Sequence, residues 1–594
     1  MVEKTIRKGS SFFMEDIPAA EVFTPEDFSE EHLMIIKTLE DFVKNEIIPN
    51  IDAIEHKDWE LTRKLMLQAG DLGFLGVDIE EDYGGTDMDH ISSLLVVEHS
   101  SRSGSFGLTL SCHTGIGSMP LVFFGNKEQK EKYLPGLASG ETIGAYALTE
   151  PGAGTDALSI QTTAVLSPDG KYYKLNGAKQ YITNSGFADI IFTYAKVDGD
   201  KMTAFILERG FEGISIGAEE KKMGLRGSST CSIFLDGAKV PVENVLFEIG
   251  RGHIVAFNIL NLGRFKLGAG AVGVAKLAME SSVGYSKERQ QFGKPICQFG
   301  LIKHKIAEMA TRLYMAESMA YRTGGLIDTI FSTVDRKAED VGRQNANSIF
   351  EYVVECSINK VYCSEMLAYV SDEAVQIYGG YGYCEEYPVE RIYRDNRIFR
   401  IFEGTNEINR LLIIGQMVRK ALKNEIPLLP EAEKVKDEIA AMEPLSPRTD
   451  DGLLGYEHRI VGRAKKIFLF LCGSAAQKYG LALEEEQEII SLLSDISQEV
   501  YAMESGLLRA LKSIDAVGEQ QSQLKIDMVQ LYVSDAMTRV ASYAQKIIAA
   551  MEAGETLDSQ LAVLRKIAQF TPVNGVQLRR GIADRIIEVG KYIS

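Results

Sequence analysis

The residue with the clearest chemical potential is a single carboxylate, Glu403, which follows Ile401 and Phe402 and precedes Gly404 and Thr405. A carboxylate beside apolar side chains can be desolvated, which raises its pKa and lets it act as a base toward a carbon acid. Taken alone, Glu-Gly-Thr is more often a turn. A catalytic base and a plain turn are both open interpretations at this point.

Three further segments carry groups that could bind a ligand. The glycine-rich run Ala145–Asp156 can expose backbone N–H groups and hydroxyls to a polar ring edge or a phosphate. Tyr181 and Thr183 are two residues apart, so they face one side of a strand, where one can stack on a flat ligand and the other donate to it. Arg289 is a candidate phosphate fork. Each segment also has an ordinary structural explanation, namely a turn, a packed strand end or a solvated helix end.

A fourth motif has the spacing of a nucleotide site without its context. Gly268–Gly273 fits G-x-G-x-x-G, but no apolar strand precedes it, and the run that follows is typical of a helix. Gly263, Gly270 and Gly273 share a helical face, which predicts close helix packing instead of nucleotide binding. The eight histidines show no metal-ligand spacing, so no metal site is predicted.

Composition excludes several classes of protein. A length of 594 residues corresponds to about four domain-sized units. A net charge of −19 disfavours nucleic-acid binding, although a local basic pocket for one phosphorylated ligand stays compatible with it. The seven cysteines are scattered without a C-x-x-C pair, which indicates reduced thiols. No signal peptide, transit peptide or transmembrane segment is evident, so we expect a cytoplasmic protein.

Hydrophobic periodicity predicts an α+β chain in the order helical, β, helical, linker, helical. In the β region, Asn176-Gly177 and Asp198-Gly199 are typical of turns that end strands. Four prolines between residues 426 and 452 predict a linker. We therefore expect an N-terminal extension (1–29), a helical domain (30–145), a β domain (146–250), a helical bundle (251–420), a linker (421–452) and a further helical domain (453–594).

Five motifs in this order resemble those of the acyl-CoA dehydrogenase family, and the resemblance covers roughly residues 30–420. The extra C-terminal helices and the segment Asn258–Arg264 are most similar to the very-long-chain branch. The five motifs are Tyr146–Asp156, Tyr181–Asn184, Glu288–Pro295, Gln376–Gly382 and Ile401–Ile408.

The resemblance implies a fold and an activity. The fold comprises an N-terminal α-helical domain, a middle β-barrel or sandwich and a C-terminal four-helix bundle, here followed by an extra helical domain. The activity is FAD-dependent oxidation of acyl-CoA to trans-2-enoyl-CoA, the first step of fatty acid β-oxidation, with Glu403 as base and hydride transfer to flavin N5. Some members carry their base at the position of Gly263, which cannot abstract a proton, and this favours Glu403.

The resemblance also implies site residues. Arg264 would serve the CoA side and Gly404 would contact substrate. Gly107 and Ser111 would line the pocket floor, where small residues leave a deeper slot for long acyl chains. Of the residues implied for FAD, Arg289, Phe292, Gln376 and Gly380 would hold its pyrophosphate and adenosine half across a dimer interface. The others implied for FAD are Tyr146, Leu148, Thr149, Thr155, Tyr181, Thr183, Thr405 and Glu407.

The implied partners are acyl-CoA, an electron-transfer flavoprotein as acceptor, and further copies of the chain in a homodimer or dimer of dimers. An acyl-CoA oxidase that passes electrons to oxygen and a respiratory-complex assembly scaffold stay open as alternatives. His458–Cys472 combines basic residues with an apolar patch. It is either a core-packed helix with a basic face or a helix in weak contact with a membrane surface.

Overall fold

The computed structural model describes residues 6–443, 445 and 452–594. Helices, a sheet and helices again follow one another along the chain, which confirms the predicted α+β class. The N-terminal helices begin at polar caps such as Ser29, Asp58 and Asp89, whose side chains accept backbone N–H groups of the first turn. These helices are α1 (Glu30–Phe42), α2 (Ile51–Glu55), α3 (Trp59–Asp71), α4 (His90–Ser101), α5 (Ser105–Thr114), α6 (Met119–Phe124) and α7 (Lys127–Ser139).

The middle region is an eight-stranded sheet in the order β6-β7-β3-β2-β4-β5-β8, with β1 parallel to β4. Asp198 and Gly199 both have positive φ, and they form the predicted turn between β4 and β5. The strands are β1 (Gly144–Ala147), β2 (Thr163–Leu166), β3 (Tyr172–Thr183), β4 (Ile190–Val197), β5 (Lys201–Glu208), β6 (Ile214–Ile216), β7 (Thr230–Pro241) and β8 (Val245–Leu246).

The turn predicted at Asn176-Gly177 is wrong. Strand β3 runs straight through these residues, and its register against β7 shifts between Leu175 and Gly177. A Cβ at Gly177 would lie 2.4 Å from Thr162 Oγ1, so the glycine permits a close approach inside the sheet. Asn-Gly therefore marks an irregularity within a strand here, which is the other structural use of glycine in sheets.

The next part of the chain contains the four-helix bundle, made by α8, α9, α11 and α13. Helix α8 packs on α4 through its small residues, as predicted: a Cβ at Gly273 would lie 1.8 Å from Glu98 O, and one at Gly270 would lie 2.9 Å from Ser101 Oγ. The elements are α8 (Gly252–Glu288), β9 (Gln290–Gln291), β10 (Lys294–Pro295), α9 (Gly300–Phe331), α10 (Val341–Glu351), α11 (Val353–Tyr378), α12 (Pro388–Asn396) and α13 (Asn406–Leu422).

The segment predicted as a linker contains a helix, α14 (Leu428–Ala441), which buries Ala432, Val435 and Ile439. Pro427 lies at the N-cap of α14, and Pro430 lies in its first turn, where a missing N–H costs nothing. Proline clustering therefore marked a helix start as well as a connection. Residues 444 and 446–451 of the predicted linker lie outside the described residues.

The C-terminal helices pack on the bundle, and the N-terminal segment lies between the two. Phe13 stacks on Phe468 with ring centroids 4.0 Å apart, and Phe12 lies 4.7 Å from Tyr501. The backbone N–H of Ser10 donates to a carboxylate of α11. The helices are α15 (Gly455–Tyr479), α16 (Gln487–Val517), α17 (Glu519–Met551), α18 (Gly554–Ile567) and α19 (Gly575–Val589).

Helix α15 decides between the two interpretations of His458–Cys472. Its apolar residues Ile467, Phe468 and Leu471 are fully buried, and Phe470 is 7% exposed. The membrane-surface helix is therefore wrong for this segment, because its apolar face is occupied by the protein core. Within the described part of the chain, no helix has both the length and the apolar character needed to cross a bilayer.

The contact between α8 and α4 generates a stability prediction. Gly273→Ala should lower the free energy of unfolding by about 1–3 kcal/mol, because the added methyl would overlap a backbone carbonyl that cannot rotate away. Gly284→Ala is the matched control on the same helix: its Cβ meets nothing within 4 Å, so it should stabilise by up to about 1 kcal/mol through helix propensity. Urea unfolding measures both, and equal effects would contradict the packing described.

Candidate active site

The carboxylate singled out from the sequence lies on a tight turn that precedes α13. Glu403 has φ 58° and Gly404 has φ 78°, so two successive residues occupy the left-handed region. Thr405 ends the turn by capping α13, its hydroxyl accepting the N–H of Ile408 at 3.3 Å. Glutamate is uncommon at positive φ, so the surroundings must stabilise this conformation.

Three side chains hold the carbonyl groups of the turn. Arg264 Nε donates to Glu403 O at 3.1 Å, and Lys360 Nζ donates to Gly404 O at 2.8 Å. Asn409 Nδ2 donates to Gly404 O at 2.9 Å and to Thr405 O at 3.0 Å. The turn is thus tied to α8, α11 and α13 at once, which fixes the direction of the Glu403 side chain.

The Glu403 carboxylate lies against α8 at a position that only glycine allows. A Cβ at Gly263 would lie 2.6 Å from Glu403 Oε2, so any side chain there would displace the carboxylate. Oε2 is buried and has no hydrogen-bond partner among the described residues. Burial raises the pKa of Glu403 to about 7, while the charges of Arg264 and Lys360 act in the opposite direction. Such a carboxylate can accept a proton near neutral pH.

Groups from α5 and the sheet reach the same place. Burial together with the nearby Glu403 carboxylate raises the pKa of the Cys112 thiol to about 12, and Thr183, which is close to that thiol, acts in the opposite direction. Tyr146 is 8% exposed and packs edge-to-face on Tyr194 at 5.4 Å. Its pKa is raised by burial, and Glu403 and Arg264 act on it with opposite signs. The structure therefore brings Tyr146 and Thr183 to the side of Glu403.

A buried ion pair holds the loop that contains Leu148, Thr149 and Thr155. Lys179 is fully buried, and its Nζ donates to Glu150 Oε1 at 2.7 Å and to a backbone carbonyl of β4 at 2.7 Å. Glu150 also accepts backbone N–H groups from beyond the loop. Leu148 is buried, Thr149 is half-buried and Thr155 is exposed. The loop is therefore anchored at its base and open above.

Tyr181 projects from a bulge at the end of β3. The register of β3 against β7 shifts between Lys179 and Ile182, and Tyr181 has φ 60° while its side chain is 60% exposed. A left-handed, exposed aromatic residue is a strained arrangement, and bulges of this kind re-aim side chains beside functional sites. Its ring is free to stack on a flat ligand.

Other expected residues lie on the surface of the protein. Arg289, Phe292, Gln376 and Gly380 are exposed, Phe292 at 92%, and the Arg289 guanidinium lies 5.4 Å from the centre of the Tyr381 ring. They form a surface group on the side of the bundle where α8 and α11 end. Glu407 is also exposed, in the first turn of α13.

The expected role of Gly107 at the pocket floor requires a correction. The Cβ position of Gly107 lies 2.4 Å from Ser100 O and 2.8 Å from Ser101 Cα, so this glycine allows α5 to pack on the backbone at the end of α4. Its small size therefore serves helix packing and does not deepen a pocket. Ser111 is partly exposed, and its Oγ is buried without a partner among the described residues.

Sequence reasoning missed Lys360, Asn406 and Asn409. Lys360 is fully buried, and burial lowers its pKa to about 7 although the Glu403 carboxylate acts to raise it. The only signal in the sequence was a charged residue between the apolar residues Ile358 and Val361, which a helical pattern treats as a solvated position.

Comparison with protein families decides the classification. Models of the acyl-CoA dehydrogenase N-terminal, middle and C-terminal domains match residues 29–141, 145–238 and 250–418, and a second C-terminal domain model matches 463–566. The chain belongs to the acyl-CoA dehydrogenase family. It is an oxidoreductase of that family, and its cofactor is FAD.

Individual relatives support the same classification. A probable acyl-CoA dehydrogenase of Bacillus subtilis is 51% identical over 99% of this chain and 98% of its own length. The human very long-chain specific acyl-CoA dehydrogenase is 37% identical over 82% of this chain and 76% of its own. The crystal structure of an acyl-CoA dehydrogenase complexed with FAD from Bacillus anthracis is 49% identical, has a TM-score of 0.96 and covers 99% of this chain and all of its own.

The residues around Glu403 fit a flavin. The 148–156 loop is open, since a Cβ at Gly152 or Gly154 would meet nothing within 4 Å, and Tyr181 presents an exposed ring beside it. The Gln180 N–H donates to Thr149 O at 2.8 Å and ties loop and strand together. Hydroxyl donors, open backbone and an aromatic face are what a planar, polar-edged ring requires.

With Glu403 as the candidate base, its pKa predicts the pH dependence of the enzyme. The ordinary value for glutamate is 4.5 and the folded value is about 7, so below pH 7 the carboxyl is neutral and cannot accept a proton. Each pH unit below this value should lower kcat/KM for an acyl-CoA about tenfold, since kcat/KM reports the free enzyme. A profile measured from pH 5 to 9 checks this, and a midpoint near 4.5 would mean that the carboxylate is hydrated.

Proposed function

We propose that this enzyme dehydrogenates long-chain acyl-CoA thioesters to trans-2-enoyl-CoA, with Glu403 as the base that removes the α-proton. The observation that carries the proposal is the enclosed, unpartnered Oε2 of Glu403, held on a turn that α8, α11 and α13 fix in place. The α-proton of a thioester is weakly acidic, so its removal needs a strong, close and dry base.

The same turn supports the charge that develops on the thioester oxygen. The backbone N–H of Glu403 donates to no acceptor among the described residues. It is therefore available to donate to an oxyanion. Arg264 and Lys360 add positive charge nearby, which favours the ionised form of the base before reaction. Bound FAD would supply the acceptor for the hydride that leaves the β-carbon. Tyr146, Leu148, Thr149, Thr155, Tyr181, Thr183 and Thr405 would surround its ring, and Glu407 would contact it from α13.

Glu403→Gln tests the base directly. The variant should retain FAD, because the amide preserves the shape of the turn, and acyl-CoA should bleach the flavin at least about a thousandfold more slowly, since no proton acceptor is left. Stopped-flow absorbance under argon measures the bleaching. Glu128→Gln on the exposed face of α7 is the control. Normal bleaching in Glu403→Gln would remove this residue from the role.

The preference for long chains has two supports. The human relative is named very long-chain specific, and Ser111 offers a small side chain one residue before Cys112, which lies near Glu403. A small residue at the floor of the acyl slot leaves room for further methylenes, each worth about 0.8 kcal/mol when buried. We place Ser111 in the acyl slot, with Arg264 and Gly404 toward the thioester and CoA.

Ser111→Met should shorten the accepted chain. We expect the ratio of kcat/KM for C16 over C8 substrates to fall about tenfold or more, because the added side chain occupies space that a long chain needs. The C8 value itself should change little, which separates lost space from general damage. An unchanged ratio would take Ser111 out of the slot.

We also propose an electron-transfer flavoprotein as acceptor and a homodimer as the working unit. A relative from Acetobacterium woodii, 39% identical over 66% of this chain, is a subunit of a caffeyl-CoA reductase–Etf complex, which supports the acceptor. The exposed group of Arg289, Phe292, Gln376 and Gly380 supports the dimer, because it places a 92% exposed aromatic side chain near Arg289, which can fork a phosphate. It would hold the pyrophosphate and adenosine half of FAD at the subunit contact.

A further inference from the structure

Lys360 is the least expected charge in the core of this protein. It lies on α11, is fully buried, and donates to Gly404 O at 2.8 Å and to Asn406 Oδ1 at 2.6 Å. Burying a lysine costs free energy unless its N–H groups donate hydrogen bonds. Here one acceptor belongs to the turn and the other to the first residue of α13. Its ammonium therefore bridges Gly404, which follows Glu403, and Asn406, which follows Thr405.

Asn406 continues the contacts away from the turn. It is 2% exposed, and its Nδ2 donates to Glu365 Oε1 at 3.0 Å. Glu365 in turn receives a two-pronged bond from Arg410, at 2.8 Å from Nη1 and 3.0 Å from Nη2. A forked guanidinium–carboxylate pair is among the more rigid polar contacts in proteins.

The last contact crosses into the C-terminal helices. Asp495 of α16 accepts from Arg410 Nε at 2.7 Å. Hydrogen bonds therefore run from Asp495 through Arg410, Glu365 and Asn406 to Lys360, which donates to the Gly404 carbonyl. The charged side chains along this path alternate in sign. The C-terminal helices thus touch the polar contacts that fix the catalytic turn.

We propose that Lys360 is a positioning residue for the Glu403 carboxylate, and that Asp495 of the C-terminal helices acts on the same turn through Arg410, Glu365 and Asn406. The inference rests on the proposed function, because it concerns the geometry of the proposed base. Lys360 holds the left-handed backbone at Gly404, so the carboxylate keeps its place over Gly263. Asp495 holds Arg410 in the orientation that its fork with Glu365 requires.

The charged and titratable groups that face Glu403 are Arg264 on α8, Lys360 on α11, Cys112 on α5 and Tyr146 on β1. The thiol and phenol are neutral near pH 7 because burial raises the pKa of each. Burial lowers the pKa of Lys360 to about 7 although the Glu403 carboxylate acts to raise it, so Lys360 is partly protonated near pH 7. Removing its side chain therefore takes away this positive charge and leaves Arg264 as the single facing cation among the described residues. The carboxylate form of Glu403 then loses part of its stabilisation.

The test is the pH profile of flavin bleaching by palmitoyl-CoA in full-length holoenzyme. Lys360→Met should move the midpoint upward by about one pH unit and slow bleaching at pH 7 about tenfold or more, at unchanged FAD content. Lys360→Arg should restore the midpoint, since it keeps the charge. If Lys360→Met yields no folded protein, Lys360→Gln keeps a donor without the charge and should show the same upward shift.

Asp495→Asn tests the distant end. It should slow bleaching about threefold. In the Lys360→Met background, adding Asp495→Asn should slow bleaching by less than about threefold, because both substitutions act on one turn. Asp527→Asn is the control: Asp527 of α17 pairs with Arg585 at 3.1 Å in the same helical unit and should leave the rate unchanged. Full additivity, or an equal effect of Asp527→Asn, would overturn the role of Asp495.

The outcomes separate the two proposals. A normal midpoint and rate in Lys360→Met, in a preparation where Glu403→Gln is inactive, would overturn the positioning role and leave the proposed function standing. Bleaching that survives Glu403→Gln would overturn the base assignment instead, whatever the Lys360 variants do.

Discussion

The whole site depends on burying the carboxylate of Glu403 away from water while keeping it ionised. Burial raises the pKa of Glu403 and so favours its neutral form, and full hydration would leave it a weak base with a pKa of about 4.5. Arg264 and Lys360 resolve this conflict, since each adds positive charge while its donors bind the backbone of the turn. The charge balance and the geometry of the base therefore have the same physical source.

This constraint explains why the elements are arranged as they are. Helix α8 has to supply both a cation and a residue without a side chain, so Arg264 follows Gly263 directly. Helix α11 has to cross the start of α13 so that Lys360 reaches the Gly404 carbonyl. The sheet contributes the opposite wall through Tyr146 and Thr183, which requires its strand ends to meet the helical domain at α5.

Features with a local cause could be predicted from the sequence. The order of helical and β regions, the Asp198-Gly199 turn and the glycine face of α8 follow from periodicity and sterics, and the structure confirms them. Glu403 could be singled out by its apolar flank and, through resemblance, by its motif. Asn176-Gly177 was misinterpreted because the approach of Thr162, which is set by strand pairing, decides what that glycine does.

The residues that sequence reasoning missed or misassigned share a different cause of error. Lys360 and the Gly404 carbonyl are 44 positions apart, and neither carries a local mark of the other. Gly107 was assigned to a pocket by resemblance, whereas its surroundings are the backbone of Ser100 and Ser101. In both cases the decisive neighbour is backbone, which contributes no residue type that a sequence pattern could register.

The C-terminal helices follow from the same logic of buried charge. Arg509 of α16 is 1% exposed and pairs with Glu317 of α9 at 2.6 Å and with Glu26 of the N-terminal segment at 3.0 Å. Breaking such a buried pair leaves an unpaired charge in the core, which costs several kcal/mol, roughly 3–5 in measured cases. The N-terminal segment, the bundle and the C-terminal helices are therefore joined through charges that none of them could bury alone. A unit attached in this way is part of the enzyme's core, and Asp495 of its helices contacts the bundle at Arg410 from a position that these buried pairs help to hold.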